Sequence, residues 1–207
     1  MEAHFGVGGF PGAFGISEYR LSRYGRHREG IFPWLRSLGL DWLELECTYG
    51  VRMPHDQAVS YRRVANDNGI TMSIHAPYYC VLASADPEAV KRSKMDLITA
   101  FELAPVLGVT RIVFHPGFPR YGDRQVSLDM IVSALLDIDR YRPNDVYVYP
   151  EIGGKVNSLG TLDEIAYLCK HVKFARPCLD LAHLHARELG SLTTPEAIVD
   201  RLNIVER

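Results

Sequence analysis

The chain has 207 residues, 47% of them hydrophobic and 23% charged, with a formal net charge of −2. That composition fits one soluble globular domain with a substantial core. It carries no global basic signature, so a nucleic-acid partner would have to be held by a local patch or by bound cations. No apolar run approaches the ~20 residues of a membrane span. The N-terminus lacks a basic segment leading into an apolar core, so no signal peptide is expected. Cys47, Cys80, Cys169 and Cys178 are widely spaced and form no CxxC pair. This argues against a zinc ribbon or a disulfide scaffold and for reduced thiols in a cytoplasmic protein.

In chain order, His4 to Phe14 is glycine-rich and reads as a short first strand entering a loop, without a GxGxxG fingerprint. Gly30 to Leu38 reads as a helix with Ile31, Trp34, Leu35 and Leu38 on one face, closed by Gly39. A strand is expected over Asp41 to Cys47 and a helix over Asp56 to Asp67, stopped by Gly69. The next strand runs from Ile70 to His75. Asp86-Pro87 opens a long helix to Leu107, with proline in the first turn where its missing N–H does no harm. Gly108 closes that helix, and the apolar run Val109 to Phe114 forms a strand ending at His115-Pro116-Gly117. Leu128 to Tyr141 is a helix, Val146 to Glu151 a strand, Thr161 to His171 a helix and Cys178 to His183 a strand. A last helix starts at Thr194-Pro195-Glu196 and runs to Val205.

The alternation of strand and helix calls for a parallel sheet with helical crossovers. An open doubly wound sheet and a barrel both satisfy it. In an open sheet, function collects at one switch point; in a barrel, every strand offers residues to one mouth. Four strands here end in a metal-ligand residue type, at His75, His115, Glu151 and the pair Asp180 and His183. The barrel is therefore expected, as a single domain over 1–207 with about six of the eight β/α units present. Nitrogen and carboxylate ligands without cysteine suit zinc, manganese or iron(II). More ligands than one tetrahedral ion uses point to a multinuclear site, and a glutamate between two such clusters would bridge two cations.

The motifs Ser73-Ile74-His75-Ala76-Pro77-Tyr78-Tyr79, Val113-Phe114-His115-Pro116-Gly117, Pro150-Glu151 with Gly154-Lys155 and Ser158-Leu159-Gly160, and Cys178-Leu179-Asp180-Leu181-Ala182-His183 occur in this order. In order and approximate spacing they resemble the endonuclease IV (apurinic/apyrimidinic endonuclease) family within the xylose isomerase-like TIM barrels. The stretch Asp180 to Arg187 is similar to its archaeal branch. The resemblance implies a zinc-dependent DNA-repair endonuclease with up to three Zn²⁺, Mn²⁺ being an alternative. It would cut the phosphodiester 5′ to abasic sites in double-stranded DNA. It further implies that His75 and His115 hold one metal with Glu151, the catalytic carboxylate. Glu151 would bridge to a second metal that Asp180 also binds, and His183 would serve a third. Tyr78 and Tyr79 fall where the family inserts a side chain into the duplex. Arg52, in the preceding strand's loop, joins them as a substrate-binding candidate.

The family's remaining ligands belong to the seventh and eighth strands and are absent from this sequence. A fragment, a chain completed by a partner, or a non-catalytic remnant would each account for that. An unclosed parallel sheet exposes edges, and a homodimer through them is expected. The alternative function is a sugar isomerase or epimerase on the same barrel, which would use Glu151, Asp180 and His183 around one metal. His75 and His115 discriminate, because that chemistry gives them no evident task.

Overall fold

The computed structural model describes residues 3–15, 17, 28–120 and 122–205. Five parallel strands pair in sequential order: β1 (Gly6–Gly8), β2 (Trp42–Glu46), β3 (Thr71–His75), β4 (Arg111–Phe114) and β5 (Tyr147–Pro150). Among the described residues, eight α-helices accompany them: α1 (Gly12–Gly15), α2 (Ile31–Ser37), α3 (His55–Asp67), α4 (Pro87–Leu107), α5 (Arg124–Ile138), α6 (Leu162–His171), α7 (Leu181–Arg187) and α8 (Pro195–Val205). No described helix is long and apolar enough to cross a membrane.

Local chemistry sets the helix limits. The Asp86 carboxylate accepts from Glu88 N–H at the start of α4, and Gly108 ends it in the left-handed region at φ 73°. Asp123 caps α5, and Thr161 with Glu164 forms a reciprocal capping box on α6. The strands divide by period two. Leu43, Leu45, Ile74, Ile112, Phe114 and Val148 face the helices and enter one large core with α2 to α5. The opposite face is polar and aromatic: Glu44 pairs in register with Ser73, Glu46 with His75, and Val113 with Tyr149. This is the face that a barrel turns toward its axis.

The structure corrects the last expected strand. Around Cys178 only isolated parallel bridges form, Val148 with Ala175 and Glu151 with Cys178. Pro177 has no N–H to give to a ladder. Two residues after Cys178 the Asp180 carboxylate accepts from His183 N–H at 2.7 Å and starts α7 instead. Leu181 to Arg187 is thus a helix where the sequence suggests a strand and loop. The short α1 is likewise not anticipated by the sequence. The four cysteines are all free, as expected, and burial pushes the Cys80 thiol up to about 12.

Candidate metal centre

Three strand ends and one helix start converge at the carboxyl edge of the sheet. His75 is the last residue of β3, while His115 and Glu151 each follow the last residue of their strand. Asp180 and His183 arrive from the N-cap and first turn of α7. All five residues expected from the sequence meet here, though the last two do so by a different route.

Glu151 is the hub, only 6% exposed. Its Oε2 lies 3.0 Å from His75 Nε2 and 3.7 Å from His115 Nδ1, while Oε1 lies 3.2 Å from His183 Nδ1. The His183 Nδ1 also lies 3.2 Å from Asp180 Oδ2 and 3.0 Å from the Ile152 carbonyl. The rings of His75 and His115 stand 5.0 Å apart, and those of His115 and His183 5.7 Å apart. Two groups of potential ligand atoms result, His75/His115/Glu151 and Glu151/Asp180/His183, each within 4.8 Å, with Glu151 common to both.

Electrostatics follow from this crowding. Burial opposes a charged His75, but its hydrogen bonds to Glu151 and to the Ala76 carbonyl outweigh that and raise its pKa to about 9. Burial depresses His115, with the neighbouring His75 and His183 acting in the same direction. For Glu151, burial favours the neutral acid, yet the His75 hydrogen bond and the surrounding imidazoles hold it below the ordinary glutamate range. A carboxylate kept ionised in a buried pocket of imidazoles is a cation-binding arrangement. His75 Nδ1 is fixed 2.8 Å from the Ala76 carbonyl, which presents Nε2 to the centre. The donor set fits zinc or manganese.

A cavity of about 540 Å³ opens onto the centre, walled by Tyr78, Tyr79, Phe118, Lys155 and Leu159, with His115 and His183 at its floor. Tyr78 meets the His115 ring edge-on at 5.7 Å, and Tyr79 stands against Tyr78 at 90°. Arg52 lines a neighbouring cleft that shares only Tyr79 with this cavity. Sequence reasoning misses Glu44, whose Oε2 accepts from Ser73 Oγ at 2.8 Å, while Ser73 accepts from Trp42 Nε1 at 3.2 Å. Burial raises the Glu44 pKa. Its signal is the alternation Trp42, Glu44, Glu46, which places polar groups on the face opposite Leu43 and Leu45.

Comparison with known proteins agrees with this architecture. An uncharacterised protein of Methanocaldococcus jannaschii is 31% identical over 175 residues, covering 83% of this chain and 63% of that one. A probable endonuclease 4 of Mycoplasma pneumoniae is 29% identical over 140 residues, covering 65% and 48%. The chain thus matches between about half and two thirds of the length of these relatives. Among solved structures, D-psicose 3-epimerase of Clostridium cellulolyticum aligns with a TM-score of 0.70 at 17% identity, covering 88% of this chain and 66% of that one. Endonuclease IV of Thermus thermophilus aligns at 0.67 and 21%, covering 90% and 68%. Those identities speak for the fold alone. The profile described as xylose isomerase-like TIM barrel matches residues 32–206, and the chain belongs to that family.

Proposed function

We propose that the chain is the metal-binding part of a DNA-repair endonuclease of the endonuclease IV type, acting on the phosphodiester 5′ to abasic sites. The observation that carries this reading is Glu151, whose two oxygens face two different sets of ligands, His75 with His115 and His183 with Asp180. One carboxylate between two such sets suits a multinuclear centre. A single-metal isomerase leaves His75 and His115 without a task. The sequence relative named a probable endonuclease 4 supports the same choice.

When bound, divalent cations at these residues would neutralise phosphodiester charge and acidify water at neutral pH. The chain's own residues do the rest. Glu151 joins the two ligand sets and is the catalytic candidate. The Ala76 carbonyl orients His75, and Asp180 holds His183. Tyr78 and Tyr79, exposed at the rim by 49% and 72%, offer faces to unstacked bases. Arg52, in the adjoining cleft, would meet the duplex backbone. The reading also takes 1–207 as one incomplete barrel domain, working in the cytoplasm and pairing as a homodimer through its open sheet edges.

The test is metal content of protein purified without chelator, followed by nicking of abasic duplex. Two or more ions per chain, falling sharply in Glu151→Ala, together with nicking abolished in His115→Ala, is the expected result. One ion per chain, no nicking and turnover of a ketose would replace this reading with the epimerase alternative, whose fold the chain shares.

A further inference from the structure

The loop after β5 is fastened more firmly than a surface loop requires. Arg187, at the end of α7, donates from Nε to the Gly153 carbonyl at 2.6 Å and from Nη2 to the Ser158 carbonyl and hydroxyl at 2.7 and 3.0 Å. Arg124 reaches the same Ser158 carbonyl from α5 at 2.8 Å. Leu159 N–H donates to the Gly117 carbonyl at 2.8 Å, tying the loop to the turn after β4. The Lys155 carbonyl closes the turn by accepting from both the amide and the hydroxyl of Ser158.

Lys155 is the cation this arrangement presents. It is exposed, forms no ion pair with any described residue, and lies with Nζ 5.7 Å from the centre of the Phe118 ring. It shares the 540 Å³ cavity with His115 and His183. The rest of that cavity is mostly aromatic and aliphatic: Tyr78, Tyr79, Val81, Phe118 and Leu159. A lone ammonium on an apolar wall, held by a braced loop beside a candidate metal centre, suits an anionic group on the same ligand as the one that would meet the metals.

We propose that Lys155 is a substrate-binding residue that seats a phosphate group of the substrate distinct from the one engaged at the metal centre. The inference rests on the reading of the centre given above. In a nucleic-acid strand that group is the phosphate adjacent to the scissile one; in a sugar phosphate it is the terminal phosphate. Lysine serves here as a point charge, and the Phe118 face keeps its ammonium in place by cation–π attraction.

The experiment uses the full chain loaded with zinc and compares Lys155→Met with Lys173→Met, an exposed lysine that does not line the cavity. Nicking of abasic duplex by Lys155→Met is expected to show KM raised about tenfold with kcat within about twofold. Its plot of log Kd against log salt should be shallower by about one unit. The Lys173 variant should match the parent in both. In parallel, NMR of the ¹³C-dimethylated protein follows the Lys155 signal, assigned by its loss in Lys155→Met, as abasic duplex, a pentose 5-phosphate or inorganic phosphate is added. A shift with duplex supports the strand phosphate. A shift with the pentose phosphate, without nicking of any duplex, retires the endonuclease reading but keeps the phosphate seat. A Lys155 signal unmoved by all three ligands, or an unchanged KM and salt slope in Lys155→Met, overturns the inference.

Discussion

Gly154 lies directly against the ring of His183: a Cβ placed on residue 154 would stand 2.8 Å from His183 Cδ2 and 3.2 Å from Cγ. The loop after β5 and the first turn of α7 are therefore fitted to each other at the point where His183 meets Glu151. Gly154→Ala should push the imidazole out of line while leaving the core intact. The expected outcome is a chain with native circular dichroism and at least tenfold weaker binding of one metal equivalent, with the His75/His115 group unaffected. Calorimetric titration with Zn²⁺ checks this, and two undisturbed binding steps would refute it.

Asp180 has two tasks, one for each oxygen. Oδ1 accepts from His183 N–H and caps α7, while Oδ2 faces His183 Nδ1. Serine keeps the cap and loses the charge; alanine loses both. Asp180→Ser and Asp180→Ala should weaken metal binding alike. Only the alanine variant should lose a further ~1 kcal/mol of stability, the usual cost of a missing N-cap. Urea unfolding of the two metal-free variants separates the roles.

Glu164 supplies an acid limb to stability. Burial favours its neutral form, but Arg124 and the amides of Thr161 and Gly160 prevail and hold its pKa below the ordinary 4.5. A carboxylate depressed in the folded state stabilises fully above its unfolded pKa and loses that contribution as pH falls through the folded value. Arg124 is about a third exposed, so the pair contributes less than a fully buried one. Glu164→Gln should cost about 2 kcal/mol at pH 7, because it weakens a hydrogen-bonded charge pair, and the gap to the parent should close as pH falls below the ordinary glutamate value and through the lowered pKa of the folded state. Urea midpoints across that window check both sign and size.

Much of this is legible in the sequence, for identifiable reasons. Strands ending in His75, His115 and Glu151 are visible because apolar runs stop at Pro or Gly, and the structure places each of these residues at a strand end. Asp180 and His183 do come to lie beside Glu151, but on a different element from the one expected. An aspartate three residues before a backbone donor reads equally well as a strand end or as an N-cap, and only the bridge at Cys178 followed by α7 decides it. Glu44 escapes notice because a single acid in a strand announces nothing until register sets it opposite Ser73. Arg52 and Tyr79 cannot be placed from order alone, since loop geometry puts Arg52 in the neighbouring cleft. The role of Arg187 is hidden for the same reason: its partners lie about 30 residues earlier in the chain.

That last residue gives the sharpest stability prediction. Arg187 connects α7 to Gly153, Ser158 and Leu159 through one planar guanidinium. Its Nη2 also lies 3.3 Å from where a Cβ on Gly153 would stand, so the packing there leaves little slack. Lysine carries the charge but cannot span several acceptors in a fixed plane. Arg187→Met takes this donor from the Gly153 and Leu159 carbonyls, while Ser158 keeps its bond from Arg124, at roughly 2–3 kcal/mol in total for groups of this kind. Arg187→Lys should recover only a minor part of that loss. Amide hydrogen exchange should speed up selectively across residues 153–160 in both variants, while β3 and β4 keep their protection. Unchanged exchange in that loop would mean that Arg124 and the Gly117–Leu159 contact suffice to hold it, and that Arg187 contributes packing alone.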